Sequence, residues 1–465
     1  MSKLMTHDEA LARVRRIFPE HTVTVYDGDV GSESGLVEDA EGHSIASFWL
    51  TLKEQAPGVI PKVRKIRVGP PGQFNGSLEE CRAWQQSQSD PIFLDYNATT
   101  PLDPRVLEVM IPWFLSPSNA GSRTHAYGQK AKDAVENARR QIAELLNAPP
   151  EEVFFTSGAT ESNNIAILGL AEYGERTGRR HVLSTAIEHK AVLEPLDRMR
   201  QLGFEVELAP VTSGGYVEPE TIRQRLRPDT LLVSVMHANN ETGILQPVHE
   251  ISELLRGTDT LFHTDAAQTF GKEVSELRSL KADLVSISSH KIYGPQGVGA
   301  LLVRRRGAQK RVVQPLVFGG GQERGLRPGT VPVALAVGLG EAARLAGLEW
   351  QTRRAAALQT REQLLHDLQA VEHRINGDPT RCQPHVLNVS FPGIDSEAFM
   401  MATRDMIATS NGSACTSASY KPSHVLLAMG LSEESIESAV RFSWGVQTSR
   451  IPCESIVAAV RSVRT

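Results

Sequence analysis

Two polar residues each follow a short apolar run. Asp265 closes "LFHTD", and Lys291 follows "DLVSIS" within Ser288-Ser289-His290-Lys291. Singly, a buried aspartate is most often a satisfied structural carboxylate, and a lysine is most often solvated. Together, an aspartate strand end followed by a Ser-x-His-Lys strand end is what pyridoxal phosphate requires. A lysine amine can form a Schiff base with the aldehyde. An aspartate can keep the ring nitrogen protonated, so that the ring acts as an electron sink. Hydroxyls and helix-end amides can hold the phosphate. Ser157-Gly158-Ala159-Thr160, after "EVFFT", offers such a turn into a helix, although taken alone that stretch is better read as an ordinary N-cap. His189 follows "HVLSTAIE" and could be a core residue, a cap or a ring-stacking group. Asn239 and Asn240 follow "LLVSVMHA", and Gln268 lies one turn beyond Asp265.

A second feature is a thiol. Cys415 sits in "SNGSACTSASYKPS", where small polar residues and Gly412 predict an exposed loop with little to pack. An exposed thiol is a liability unless it does chemistry. The other cysteines, Cys81, Cys382 and Cys453, are far apart and form no CxxC pair, so neither a disulfide framework nor a zinc site is indicated. The histidines show no HExxH or similar metal-ligand spacing.

These residues need a scaffold that brings strand ends together. From Pro91 the chain alternates short apolar strands, such as "EVFFTSG", "HVLST", "LLVSVMHA", "LFHTD", "DLVSISS" and "GALLVRR", with helical segments. That pattern predicts an α/β fold with a mainly parallel sheet covered on both faces, with ligands at the carboxyl ends of its strands. After about Gly329 comes a long helical stretch from "VPVALAVGLG", then "HVLNVSF", the cysteine segment and "AVRFSWG", which read as a smaller α+β domain. The first ninety residues differ. Met5–Phe18 is helical by period, "HTVTVYDGDV" and "HSIASFWLTL" read as strands, "VGPPGQFNGS" as a loop, and "LEECRAWQQSQSD" as a short helix running into a polar linker. The expected division is residues 1–90 as an extra α+β module, 91–335 as a large domain opened by an arm over 91–110, and 336–465 as a small domain carrying the cysteine loop.

With 465 residues, 40% hydrophobic and 22% charged, the composition is that of an ordinary soluble multidomain protein. A net charge of -5 argues against an electrostatically driven nucleic-acid binder, though not against a local patch. Arg304-Arg305-Arg306 reads as a solvated strand end, and "KVRKIRVGPPG" from Lys62 as a solvated strand edge. No apolar stretch is long enough to span a bilayer, and the charged amphipathic start is no signal peptide, so a cytoplasmic location is expected.

Several motifs run colinearly from Pro91 to the end: "IFLDYNATTPLDPRV", "FTSGATESNN", "TAIEHKAVL", "VMHANNETG", "DAAQTFGK", "SSHKIYGPQGVGALLVRR", "GGGQERGLRPGT", "NGSACTSASY" and "VRFSWG". In these the chain resembles the NifS/IscS-type cysteine desulfurases of the class V aminotransferase family. Residues 1–90 have no counterpart in that resemblance. The resemblance implies the fold type I architecture of pyridoxal-phosphate-dependent transferases, with a seven-stranded, mainly parallel sheet. It assigns Lys291 as the Schiff-base lysine, Asp265 as the partner of the ring nitrogen, and His189 as the ring-stacking residue that also helps move protons. Ala159, Thr160, Ser288 and His290 fall where the family holds the phosphate. Asn240 and Gln268 fall where it contacts the cofactor and its phenolic oxygen, and Asn240 also where it binds substrate. Thr330 falls where a threonine reaches the phosphate of the other subunit, which implies a homodimer. Arg441 falls where the substrate carboxylate binds, a task suited to a planar guanidinium. Cys415 falls at the nucleophile. The sequence departs from the usual pattern at Pro328, where serine is common, and at Ser118–Ser122, "SNAGS" in place of "GNPAS".

The implied reaction converts L-cysteine to L-alanine and passes sulfane sulfur through a Cys415 persulfide to an acceptor protein. Iron–sulfur assembly, tRNA thiolation and DNA phosphorothioation are all open as destinations. A selenocysteine lyase or another class V enzyme is the alternative on the same fold, and a non-catalytic binding scaffold the alternative of another class. Residues 1–90 hold no cluster of acid, base and nucleophile. They read as a docking module for the acceptor or, more blandly, as a packing extension.

Overall fold

The computed structural model describes residues 91–306, 311–411, 422–448 and 451–464, and the backbone of five strands in the first ninety residues. The chain divides into two units, Met1–Asp90 and Pro91–Thr465. The described strands of the first unit are β1 (Met5–Thr6), β2 (Thr22–Tyr26), β3 (Ser32–Glu38), β4 (Ser44–Leu52) and β5 (Lys62–Gly69), in the antiparallel order β1-β5-β4-β3-β2. Two expectations change. Met5 and Thr6, read as the start of a helix, pair with Val63 and Lys62 as a strand. The basic segment expected at a sheet edge is β5, which lies between β1 and β4. Cross-strand pairing, which a local period cannot report, decides both. The rest of the helix expected to Phe18, the loop after Gly69, the helix expected from Leu78 and the polar linker lie outside the described residues.

In the second unit β6 (Ile92–Phe93) is followed by β7 (Val153–Thr156), β8 (His181–Thr185), β9 (Glu205–Ala209), β10 (Thr230–Ser234), β11 (Leu261–Asp265), β12 (Leu284–Ser288) and β13 (Gly299–Val303). Strands β7 to β13 form one seven-stranded sheet in the order β7-β13-β12-β11-β10-β8-β9. All pairings are parallel except those of β13, which runs antiparallel to β12 and β7. Alternation along each strand divides its side chains between two cores. Phe155, Phe262, Val285 and Leu302 face the helices Ala126–Leu145 and Val333–Leu368. Phe154, Leu261, Leu284 and Leu301 face the helices Ala159–Leu168 and Lys190–Gln201. A sheet buried on both faces needs strands that are apolar throughout, which is how these strands read.

The small-domain sheet joins β14 (Arg374–Ile375), β15 (Val386–Ser390) and β17 (Ala439–Ser443), and β16 (Ile407–Ala408) pairs in parallel with β6. The segment from Ile92 that leads into the large sheet is therefore hydrogen-bonded to the later part of the chain. Ser443 N donates to Leu94 O at 2.8 Å, and Asn97 N donates to Ser443 Oγ at 2.9 Å.

Polar residues inside the sheet hold its register. His263 of β11 sits between Ser234 Oγ, 2.8 Å from Nδ1, and Ser286 Oγ, 3.0 Å from Nε2. The imidazole links β10, β11 and β12 two residues before Asp265. Arg139 and Glu323 form a buried bidentate pair at 2.7 Å, and Glu323 also accepts Phe155 N at 2.7 Å. That pair fastens edge strand β7 before its polar turn. The arginine run is a solvated end only at Arg305, which is exposed. Arg304 donates to Ala282 O, and Arg306 grips both oxygens of Asp283 at 2.7 Å. A neighbouring acidic strand start and free carbonyls, invisible in a local charge count, claim those side chains.

His263 and His237 are fully buried, and burial pushes both imidazoles down to about 3. The unfolded chain, whose histidines titrate near 6.5, takes up two protons on acidification that the folded chain refuses. The pair therefore supports stability above pH 6.5 and costs about 2.7 kcal/mol per pH unit as the pH falls toward 3. Denaturant titrations between pH 7 and pH 5 should show this loss, and a His263→Gln variant should lose about half of the two-histidine slope. An unchanged slope in that variant would contradict the buried neutral imidazole.

Candidate active site

Six polar loops meet over the strand ends. They line a cleft of about 710 Å³ that includes Asp95, Asn97, Ala159, Thr160, Asn163, His189, Asn240, Asp265, Gln268, Ser288, His290, Lys291 and Arg441. Parallel strands bring this about: β7, β8, β10, β11 and β12 all deliver their carboxyl ends to one edge, and antiparallel β13 delivers its amino end there, with Gly297 on the wall.

The turn after β7 is built for an anion. Gly158 has φ of 152°, a region glycine favours, and caps the helix Ala159–Leu168. A Cβ on Gly299 would lie 2.7 Å from Gly158 Cα, so two glycines let the turn sit close against β13. The first-turn amides have no intrahelical acceptor and open on the cleft with the Thr160 hydroxyl.

At the end of β11 the Asp265 carboxylate is buried. Its Oδ2 accepts Asn163 Nδ2 at 2.6 Å, and its Oδ1 accepts Ala267 N at 2.9 Å. After β12 the Lys291 amine turns to the carbonyls of Asn97 and Ala98, the latter at 2.7 Å. His290 Nδ1 meets Thr99 Oγ1 at 3.0 Å, and burial with Lys291 nearby pushes its imidazole down to about 4. His189 caps its helix by accepting Ala191 N on Nδ1 at 3.0 Å, which leaves Nε2 to carry the proton. Burial lowers its affinity for a second proton, so the ring is neutral. Gln268 Nε2 donates to Asn97 O at 2.9 Å.

Arg441 comes from the three-stranded sheet, on β17 opposite Asn388. Its Nη1 donates to Asn240 O at 2.9 Å and its Nη2 to Asp95 Oδ1 at 2.5 Å.

The cleft thus gathers Ala159, Thr160, His189, Asn240, Asp265, Gln268, Ser288, His290, Lys291 and Arg441. Thr330 does not line it and is exposed. Cys415 lies outside the described residues, as does Cys81. Cys382 packs its thiol against the carbonyls of Thr242 and Val386, and Cys453 is buried. Sequence reasoning passed over Asp95, Asn97 and Asn163. Asn97 and Asp95 lie in the quoted "LDYNATT" and Asn163 in "ATESNN", but only packing shows that they face the strand ends.

Three buried oxygens in the cleft, Asn97 Oδ1, Asn163 Oδ1 and Gln268 Oε1, meet no protein partner among the described residues. Buried polar atoms without partners are uncommon, and here they surround a carboxylate, an amine and an anion-binding turn. This donor set fits pyridoxal phosphate. Thr160, the helix amides, Ser288 and His290 would take the phosphate, Asp265 the ring nitrogen, and Lys291 the aldehyde.

The class-V aminotransferase family model matches residues 92–451. The mitochondrial cysteine desulfurase of Arthroderma benhamiae is 48% identical over 376 residues, covering 80% of this chain and 74% of that one. Among solved structures, DndA from Streptomyces lividans is 50% identical with a TM-score of 0.67, covering 75% of this chain and 98% of that one. SspA in complex with cysteine is 37% identical with a TM-score of 0.66, covering 76% and 98%. Such similarity, sustained across the whole cleft-bearing unit, makes this chain a member of the pyridoxal-phosphate-dependent class-V aminotransferase family, within its cysteine desulfurase group.

Proposed function

We propose that the chain is a cysteine desulfurase that converts L-cysteine to L-alanine and hands sulfane sulfur through a persulfide on Cys415 to an acceptor protein. The observation that carries this reading is one cleft holding an amine, a buried carboxylate, a neutral imidazole and a guanidinium, each on a separate element. A relative in this group, SspA, has been solved with cysteine bound.

Pyridoxal phosphate, when bound, supplies an electron sink that makes the substrate Cα–H acidic. The chain's residues do the rest. Arg441 would bind the substrate carboxylate and so orient the amino acid in the cleft. Asp265, held by Asn163 and Ala267 N, would pair with the ring nitrogen. His189, neutral with its proton on Nε2, would contact the cofactor and exchange a proton with the substrate. Lys291 holds or returns the Cα proton. The Cys415 thiolate attacks the substrate Sγ. The S–S bond forms as the substrate C–S bond breaks, and the electron pair left on carbon is protonated to give alanine. The products, a persulfide and alanine, contain every atom of a thiol and a cysteine.

Lys291→Ala should lose the covalent link, because no second lysine lines the cleft among the described residues. Borohydride reduction followed by mass spectrometry should place the pyridoxyl adduct of the wild-type protein on Lys291, and an adduct elsewhere would refute the assignment.

Cys415→Ser separates substrate binding from sulfur transfer. A serine hydroxyl stays protonated at neutral pH. The variant should keep its cofactor absorbance and respond spectrally to cysteine, while alanine release falls roughly a hundredfold or more. Near-normal turnover would place the nucleophile at another residue.

A homodimer with shared sites completes the reading. Phe114, Leu115, Tyr127, Val317 and Phe318 are exposed, with Phe318 at 87% and Leu115 at 80%, large apolar side chains that a partner subunit would cover. Thr330 follows the segment that carries Val317 and Phe318 and is itself exposed. In a dimer it would reach the partner's phosphate turn. Mixing Lys291→Ala with Thr330→Ala protein should then form heterodimers with one unmutated site, and activity should exceed that of either variant alone. No gain on mixing, or an active protein that sediments as a monomer, would remove Thr330 from the site.

A further inference from the structure

Arg441 is 4% exposed and the electrostatics of its setting are unusual. A buried guanidinium without a counter-charge is costly, and removal of one partner from such a pair is strongly destabilising. Here the counter-charge comes from Asp95, whose Oδ1 lies 2.5 Å from Nη2, with side-chain exposures of 5% for the arginine and 17% for the aspartate. The pair is not saturated. Of five N–H donors, one goes to Asp95 and one to Asn240 O, and Nε is buried with no acceptor among the described residues. Both side chains line the cleft. A buried donor left unmet is uncommon, and this one lies on a side chain that lines the cleft.

The tether is also short. Asp95 bridges Ser443, two residues beyond Arg441 on the same strand, and Tyr96 N donates to Ser443 O at 3.2 Å. The carboxylate and the guanidinium thus sit on two backbone segments stitched directly to each other. The backbone of Asp95 cannot shift without breaking the contact between the entering chain and the strand that carries Arg441.

We propose that Asp95 is a positioning residue that serves as a resident carboxylate for Arg441. It holds the guanidinium in place in the empty cleft, and it shares that guanidinium with the substrate carboxylate when an amino acid arrives. This rests on the reading of Arg441 as the carboxylate site. Two carboxylates on one guanidinium repel each other, so Asp95 orients Arg441 at the expense of substrate affinity. The negative charge and the acceptor oxygen of Asp95 thereby have opposite effects on binding. Its charge weakens substrate binding, and its hydrogen bond strengthens it.

Two substitutions separate these effects in the holoenzyme. Asp95→Asn keeps an acceptor at Oδ1 and removes the charge, so KM for L-cysteine should fall about threefold or more, with a smaller change in kcat. Asp95→Ala removes both, so KM should rise about tenfold. Calorimetric binding of L-alanine, which carries the carboxylate and no thiol, should follow the same order: tightest for Asp95→Asn, then wild type, then Asp95→Ala. Thermal unfolding checks that each variant is folded. KM and L-alanine affinity unchanged in both variants, or shifted in the same direction in both, would overturn the proposal while leaving the desulfurase reading intact. A wild-type holoenzyme that neither turns over cysteine nor binds L-alanine would overturn the desulfurase reading, and the role of Asp95 with it.

Discussion

Parallel pairing across the large sheet is the constraint from which the rest of this structure follows. Parallel strands send their carboxyl ends to one edge, where the hydrogen-bond ladder stops and polar side chains can face a ligand. Asp265, Lys291, His189 and Asn240 come from four different connections and converge only because β8, β10, β11 and β12 share a direction. Reversing one strand would carry its terminal residue to the opposite side of the sheet. The one reversed strand, β13, contributes through its beginning instead, and glycine there lets the Gly158 turn approach closely.

Register has to be held for those ends to meet, and the sheet interior does this with polar links rather than apolar packing alone. The His263 imidazole spans Ser234 and Ser286, and His237 meets Thr269 at 2.9 Å. Apolar side chains tolerate a shifted neighbour far better than a hydrogen bond does, so each link penalises a slipped strand. Burial keeps these imidazoles neutral, which makes them structural elements in spite of their capacity for proton chemistry. His189, a few residues past β8, is neutral for the same reason, but it lines the cleft, where its Nε2 proton can be exchanged.

The cleft also depends on the junction between sheets. Arg441 belongs to the three-stranded sheet, yet it is anchored by Asp95 and Asn240 O, which lie outside that sheet. Pairing of β6 with β16 and of Leu94 with Ser443 sets that reach. The guanidinium is therefore positioned by the same contacts that join the two sheets.

The apolar runs and the polar residues that end them were legible in the amino-acid order. "LFHTD" and "DLVSIS" place Asp265 and the Ser288–Lys291 segment at strand ends, because strands buried on both faces must be apolar and must stop where a charge appears. The family motifs extend that reading to Thr160, His189 and Arg441. Local order does not encode which groups saturate one another. Asn163 against Asp265, Asp95 against Arg441 and Arg306 against Asp283 join residues distant in the chain, and hydrogen-bond geometry selects them only after the sheet has formed. The same reason explains the errors at Met5–Thr6 and at Lys62–Gly69. Periodicity and charge describe a segment by itself, whereas a strand's place in a sheet is decided by the neighbour that takes up its backbone hydrogen bonds.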